Sequence, residues 1–556
     1  MMRYSIPFCS IQPIRNKVKS ILKKHPWGVA AVLIAILLSL PGIHWGKYEC
    51  WNLDQMANVK LRADGLPANY LKPPLLTYLN QVILLPPTKN ILKNVFRISG
   101  SKQQGFLLMA SRLLTLSMFA ASVWLLYLAT LRASGTAGAA PAVLLYATSS
   151  GILVFNRFLT ADSPLLFWMI ASLFFAFRAA QTRKVSLCIL SGILAGLATA
   201  DKYNGLWAGA ALPAALLVAM GFRCFSFSGF WLGGMGVPVG FVIGNPGALL
   251  DTRRFWEDFY YNLQTTPVYE GQSGGTGYAR FFELFPEILG WPGTVLVAAG
   301  IFLALGLLIS RKLSLESKVL LAAAFAVFLP YYLSMGKFPR MTTRFVLPAI
   351  PFLVVIASVG FARIPWKNVG FAAVLAAALL YNISASIESG LRFLGDPRMD
   401  ATTWVRNNIP ESAKIENSYA PYWRRMPDYR PTIFQMPSVT GRAAMFGNMF
   451  AGDKTVESAI ARHETPPTAI EMFTKEALTK RNPDFVTFSQ QVFEFTGDPR
   501  AQEFYRLLDE EKMGYRKVFE KHWRQRAWWS YPIGIDFLVK RMVVLEREPN
   551  AKSEGQ

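Results

Sequence analysis

Hydrophobic and polar positions in this chain fall into long blocks rather than short alternations. Apolar runs near the length that crosses a bilayer, about 20 residues at 1.5 Å each, occupy residues 28–44, 107–131, 138–155, 160–177, 185–200, 203–222, 229–249, 288–310, 319–335, 345–362 and 366–387. The pattern predicts an α-helical polytopic membrane protein with about eleven transmembrane helices. Beyond residue 389 the pattern changes. Helical stretches at 397–408 and 499–511 alternate with short apolar strands that begin at Ala413, Asp484, Tyr515 and Asp536, the signature of a small α/β domain. The expected organisation is a basic N-terminus at 1–27, a membrane domain at 28–389 with long loops at 45–106 and 250–287, and a soluble domain at 390–556.

Composition sharpens this picture. Of the 556 residues, 52% are hydrophobic and only 17% are charged, which excludes a water-soluble globular chain of this length. The net charge of +23 is unevenly placed: residues 1–389 hold 33 basic and 13 acidic side chains, whereas 390–556 hold 25 and 22. Basicity confined to the hydrophobic part suits loops beside anionic lipid headgroups or a phosphate-bearing substrate. It does not suit nucleic acid, since no basic face is free of long apolar runs and no nucleic-acid module signature is present. The four cysteines, Cys9, Cys50, Cys188 and Cys224, have neither zinc spacing nor a CxxC pattern.

Charge also orients the spans. Arg3, Arg15, Lys17, Lys19, Lys23 and Lys24 precede the first run with no acidic residue among them, so the positive-inside rule places the N-terminus in the cytoplasm. No small-residue cleavage site follows, and the first run reads as an uncleaved anchor. Alternation from there puts the short basic loops inside. It puts the loops at 45–106 and 250–287, the turns at Asp162 and Asp201, and the C-terminal domain outside. Twelve of the 13 acidic residues before position 390 then lie outside, Glu316 being the exception. No ionisable residue sits deep in any run. Ion-coupled transporters need such groups near the midplane, so the polar chemistry here belongs to one lip of the membrane.

Four stretches could carry that chemistry. The first exterior loop holds Asp54 ahead of MANVKLRADG, whose spacing predicts a helix along the membrane surface, and Tyr70 and Lys72 before Pro73-Pro74, which fix the backbone from which the ammonium projects. Taken alone, a capping Asp and a snorkelling Lys explain these residues as simply as a base and a phosphate clamp. Asp162 stands at the outer end of the fourth run, five residues after Arg157, where Asp-Ser-Pro is also a good helix start. Asp201, Lys202 and Tyr203 lie between two runs too close for a real loop, with mutual neutralisation of Asp201 and Lys202 as the simpler reading. Lys337, Arg340 and Arg344 crowd an exterior loop against the charge bias, which points to an anionic ligand or to salt bridges with loop acids. The aromatic, glycine-rich segment 259–282, with Tyr269 and Glu270, has the composition of a mobile substrate-covering loop.

In their order along the chain these segments resemble the GT-C membrane glycosyltransferases of the protein O-mannosyltransferase and aminoarabinose (lipid A) transferase type. The resemblance is carried by the Asp54 loop, Lys72 to Leu75 (KPPL), Arg112 opening the second run, Arg157 with Asp162 and Pro164, Gly196 to Leu206, Arg344 to Pro351, and the DPRMDATTWVRNNIPESAKI segment that opens the C-terminal domain. It implies a GT-C catalytic domain and a C-terminal extracytoplasmic domain in the inner (plasma) membrane. The donor would be a polyprenyl-phosphate sugar, and the acceptor a lipid, glycan or protein. The sugar would move by a single inverting displacement. Asp54 would be the base and Asp162 its catalytic neighbour. Lys72 and Arg344, with Lys202, Arg340 and Lys337, would bind the donor phosphate, and Tyr70, Tyr203, Tyr269 and Glu270 would line the substrate loops.

The family's first-loop motif is Asp-Glu, and here it is Asp54-Gln55. An amide ligates a cation less well than a carboxylate, so metal dependence stays open, with Asp54 and Asp162 as the ligands if a divalent metal is used; no other cofactor is implied. Two other functions use similar parts. A lipid-linked sugar flippase needs the cations but not Asp54, and would need a polar path through the spans. An O-antigen ligase or polymerase working on diphosphate-linked glycans would need more exterior arginines.

Overall fold

The computed structural model describes residues 20, 22–46, 61–269, 276–338, 341–365, 367–410, 412–417, 432–433, 452–455, 458, 473–490, 499–524, 538 and 540–549. The first apolar run forms α1 (Pro26–Ser39). The first long loop is more ordered than its composition suggests. Residues 61–65, expected to be helical, instead form a turn closed by a Leu61–Pro67 bridge and an Arg62–Asp64 ion pair, with Gly65 at φ +80°. An Asp-Gly pair that tolerates a left-handed backbone outweighs the apolar spacing there. The rest of the expected surface helix lies outside the described residues. A helical rod that the sequence reading missed follows: α2 (Leu75–Tyr78), a π-helical stretch over Leu79–Leu84, and α3 (Leu85–Asn94). Pro86 and Pro87 supply no amide protons to the preceding turn, and a widened π turn accommodates them.

The membrane domain then runs through α4 (Gly100–Thr148), α5 (Ser150–Phe155), α6 (Asp162–Thr182), α7 (Val185–Asp201), a 3₁₀ stretch (Tyr203–Ala210) leading into α8 (Ala211–Met220), and α9 (Ser228–Gly244). It continues with α10 (Thr252–Tyr269), α11 (Phe285–Ile309), α12 (Leu315–Met335), α13 (Ile350–Phe361) and α14 (Val369–Leu394). Among the described residues seven helices are long and apolar enough to cross a membrane, fewer than the eleven runs. The difference has a physical basis. α1, α7 and α9 have 14, 17 and 17 residues, or about 21 to 26 Å at 1.5 Å per residue, short of a bilayer core of about 30 Å. The second and third runs share α4, which is interrupted at Gly135 (φ 62°, ψ −176°).

The two ends of the bundle differ chemically. At one end the basic connections meet: Arg363 donates to the Lys312 carbonyl (2.9 Å), Gln181 to Glu316 (3.2 Å), and Ser317 to the Ala133 carbonyl (2.7 Å). Asp162, at the start of α6, marks the opposite end, which also carries Lys202, Arg344, the first loop and α10.

Past α14 the chain enters α15 (Pro397–Asn408) and a five-stranded mixed sheet. Its strands are β1 (Ile415–Asn417), β2 (Thr432–Ile433), β3 (Phe485–Ser489), β4 (Tyr515–His522) and β5 (Arg541–Arg547), in the order β2-β1-β3-β5-β4. β1 pairs in parallel with β2 and β3, and β5 lies antiparallel between β3 and β4. Alternate side chains of β5 serve two cores. Met542 and Val544 face the layer that holds Ala401 and Val405 of α15 and is continuous with the membrane bundle, whereas Val543 and Leu545 face Leu478 of α16 (Lys475–Arg481) and Phe504, Tyr505 and Leu508 of α17 (Pro499–Asp509).

The exit of α1 is clasped by buried arginines. Arg157 donates to the carbonyls of Leu38, Pro41 and Ser386, and Arg112 to those of Ile43 and Trp45. The Trp45 indole donates to Asp396 (2.8 Å), which is ion-paired to Arg398 (2.6 Å). The start of the C-terminal segment is thereby locked onto the start of the first loop.

Candidate functional site

The polar centre of the bundle's lip is built on Asp162. It is the first residue of α6, where the helix N-terminus favours a negative charge, and it is almost wholly buried. Two cations reach it. Lys202 Nζ lies 3.0 Å from Oδ1, and Arg344 Nε lies 2.7 Å from Oδ2. Local geometry brings them there. Lys202 is an extended residue between α7 and the 3₁₀ stretch, so its side chain leaves the helical path. Arg344 lies in the one-turn helix Thr343–Val346, entered from an extended Thr342.

Asn204 donates to the Tyr331 hydroxyl (3.1 Å), Tyr331 donates to the Phe345 carbonyl (2.7 Å), and the Lys202 ammonium sits 5.8 Å from the centre of the Phe345 ring. Residues 202–204 and 344–345 therefore form one unit. Asp201 does not pair with Lys202, contrary to the simpler reading of the sequence. Adjacent side chains point apart as α7 ends, and the buried Asp201 carboxyl has no protein hydrogen-bond partner.

Lys72 is exposed on a turn whose backbone is tightly held. Tyr70, expected at the substrate, is fully buried. Its ring meets Phe255 edge-on at 5.8 Å and lies so close to Gly247 that a Cβ there would fall 2.1 Å from the phenol oxygen. Burial first, and Asp251 second, raise the Tyr70 phenol above its ordinary pKa, so it stays protonated near Asp251 (3.4 Å). The Tyr203 hydroxyl donates to the Tyr70 carbonyl (2.7 Å). Both tyrosines thus frame the Lys72 turn.

Lys337 is exposed on the connection after α12. Asp54, Glu270 and Arg340 lie outside the described residues, as does the side chain of Tyr269, the last residue of α10.

Comparison with known proteins identifies the scaffold. Residues 86–243 match the model of the dolichyl-phosphate-mannose-protein mannosyltransferase family. ArnT from Cupriavidus metallidurans bound to undecaprenyl phosphate superposes with a TM-score of 0.53 at 16% sequence identity, over 94% of this chain and 98% of that one. The same protein in the apo state gives 0.51 at 15% identity, over 93% and 96%. This protein has the GT-C glycosyltransferase fold. It is a multi-pass membrane protein, with seven membrane-length apolar helices among the described residues. No curated protein matches the chain.

On the GT-C scaffold the structure brings together three of the site residues read from the sequence, Asp162, Lys202 and Arg344. It sets Tyr70 and Tyr203 behind Lys72. Sequence reasoning missed Glu287, which accepts from Thr343 next to Arg344 (2.8 Å) and faces Arg280 at 3.8 Å; its place after Pro286 gives only a helix-start signal. Asp258 and Asn262 carry no signal of their own, because the aromatic and polar mixture of α10 reads as a loop. A divalent metal does not fit Asp162 in this arrangement. Two cations within 3.0 Å of its oxygens would repel a third.

Proposed function

We propose that this protein transfers a sugar from a polyprenyl-phosphate donor to a hydroxyl or phosphate of a lipid, glycan or protein acceptor, on the extracytoplasmic face of the inner (plasma) membrane. The observation that carries the reading is the buried Asp162 with Lys202 and Arg344 on its two oxygens, at one lip of a GT-C bundle. Partly exposed cations anchored by a buried carboxylate are rigid donors for an anionic headgroup. The lipid phosphates in the matched family's name and in the ArnT complex support that headgroup class.

In the proposed reaction an acceptor oxygen attacks the anomeric carbon as the bond to the phosphate oxygen breaks. The acceptor's proton passes to Asp54, the bonding pair leaves with the phosphate, and the anomeric configuration inverts. Negative charge grows on the phosphate, so cations fixed in advance stabilise the transition state more than the ground state. Arg344 and Lys72 fill that role, with Lys202, Arg340 and Lys337 around them. Asp162, saturated by two cations, is suited to holding Lys202 and Arg344 rather than to taking a proton. Its position favours orienting over base chemistry. The α/β segment beyond residue 390 is assigned to the same outer face.

Incubating the purified protein with polyprenyl-phosphate pentoses and hexoses, and identifying the product by mass spectrometry, tests this directly. Lys72→Ala should then lower turnover at saturating donor by about 10²- to 10³-fold, the usual cost of one transition-state donor, and Asp54→Asn by roughly 10²- to 10⁴-fold. A flippase would move the lipid between leaflets of a proteoliposome without forming product, and Lys72→Ala would then affect affinity alone.

A further inference from the structure

The turn that carries Lys72 is held by an unusual set of side chains. Three of the four backbone polar groups of the two residues before Lys72 are bonded to side chains. The Tyr70 amide donates to Asp258 Oδ2 (2.9 Å), the Tyr70 carbonyl accepts from the Tyr203 hydroxyl (2.7 Å), and the Leu71 carbonyl accepts from Asn262 Nδ2 (3.1 Å). After Lys72 come the buried Pro73 and Pro74, whose rings fix φ. The main chain is therefore set on both sides of a residue whose own side chain is exposed.

Two of the three holding groups share one face of α10. Phe255, Asp258, Phe259 and Asn262 are spaced i, i+3, i+4, i+7, which places them on a single helical stripe. Phe255 stacks on Phe259, and Phe259 meets the Tyr203 ring at 4.9 Å. Trp256 and Leu263, off that stripe, are exposed. Asp258 is fully buried. Burying a carboxylate is costly unless it makes strong hydrogen bonds, and a carboxylate on a backbone amide makes one of the stronger kinds. Tyr203 also follows Lys202 in sequence, so one dipeptide holds the Asp162 cluster with its first residue and the Lys72 turn with its second.

We propose that Asp258, Asn262 and Tyr203 are positioning residues that aim the Lys72 ammonium at the phosphate of a polyprenyl-phosphate ligand. The inference rests on the reading of Lys72 as a phosphate contact given above. α10 is thus part of the binding machinery through the backbone it holds, and shifting that backbone by about 1 Å misplaces the ammonium, an error that costs up to about 10²-fold where alignment matters.

The test measures the affinity of the full-length protein in detergent for undecaprenyl phosphate and for undecaprenol, which has the same chain without the charge. Asp258→Asn and Tyr203→Phe are near-isosteric, and Tyr203→Phe keeps the ring on Phe259. Each should weaken undecaprenyl phosphate binding about 5- to 10-fold and leave undecaprenol binding unchanged. In a Lys72→Ala background the same substitutions should add less than twofold, because there is no ammonium left to aim. Equal losses with and without Lys72 would overturn the positioning role while leaving Lys72 a phosphate contact. Equal losses for phosphate and alcohol would overturn it as general damage. Wild-type phosphate affinity in Lys72→Ala would remove the reading of Lys72 and this proposal with it.

Discussion

Replacing Asp162 by Asn removes the charge that Lys202 and Arg344 share while keeping the side chain's shape. The magnitude follows from the geometry. A pair of unit charges about 4 Å apart is worth about 4 kcal/mol at an effective dielectric near 20, and the two pairs here are at 3.0 and 2.7 Å. The carboxylate is 1% exposed, but Lys202 and Arg344 are 21% and 25% exposed, so water screens both cations and lowers each pair to about 1–1.5 kcal/mol. The amide still accepts one hydrogen bond. The expected loss is therefore about 2–3 kcal/mol, just below the roughly 3–5 kcal/mol found when one member of a wholly buried pair is removed. Thermal unfolding of the purified protein in detergent should show a midpoint several degrees lower. The decisive arm adds Lys202→Met to Asp162→Asn. With one orphaned cation gone, the double variant should recover part of the lost midpoint, because residues in one ion-pair network are not additive. A double variant that loses the sum of the two single effects would refute the triad as a unit.

Cysteines placed beside Lys72 or Arg344 should react with an impermeant thiol reagent in cells stripped of any outer barrier, while one beside Arg311 should not; the reverse pattern would put the site in the cytoplasm. Gly196→Val should abolish folding or strongly lower the thermal midpoint, since even a Cβ at that glycine would lie 2.1 Å from the Val237 carbonyl oxygen. Beyond the bundle, burial alone would raise the carboxyl pKa values of Asp509 and Glu520, but hydrogen bonds to Arg541, helped by Lys517 at Asp509 and His522 at Glu520, hold both below their ordinary values. Groups lowered in the folded state stabilise it fully above their unfolded pKa of about 4 and lose that contribution as pH falls further. Amide protection in α17, corrected for the slower intrinsic exchange in acid, should be lower at pH 3 than at pH 5, and Arg541→Gln should flatten the change; constant protection over that range would contradict it.

Much of the helical layout is legible from apolar block length alone, since a buried or lipid-facing helix announces itself by composition. The helix expected at 397–408 is Pro397–Asn408, and the one at 499–511 is Pro499–Asp509. Asp162, Lys202 and Arg344 are also legible, because isolated charges stand out against the apolar runs that they border. What stayed hidden depends on contacts between distant segments. The aromatic and polar mixture of α10 reads as loop until Phe255 and Phe259 find Tyr70 and Tyr203 across the fold. Asp258 looks like any surface acid until the amide of Tyr70, 188 positions away, is seen to need it. Tyr70 itself looks like a substrate-facing aromatic until Gly247 makes room for its ring.

The seam between α7 and α9 limits how the isoprenoid chain of the proposed donor could reach the site. Ideal Cβ atoms on Gly192, Gly196 and Gly240 would lie 1.9, 2.1 and 2.1 Å from carbonyl oxygens of the facing helix, so the two backbones touch with no side chains between them. Parting them would break a continuous backbone contact that a lipid tail, offering only methyl and methylene groups, cannot replace. The pair is a closed wall, and Lys202 and Tyr203 stand on its rim. Under the proposed function, a donor arriving sideways from the bilayer would have to slip between other helices, and whichever it separated, the groups on that rim would keep their places to receive its headgroup.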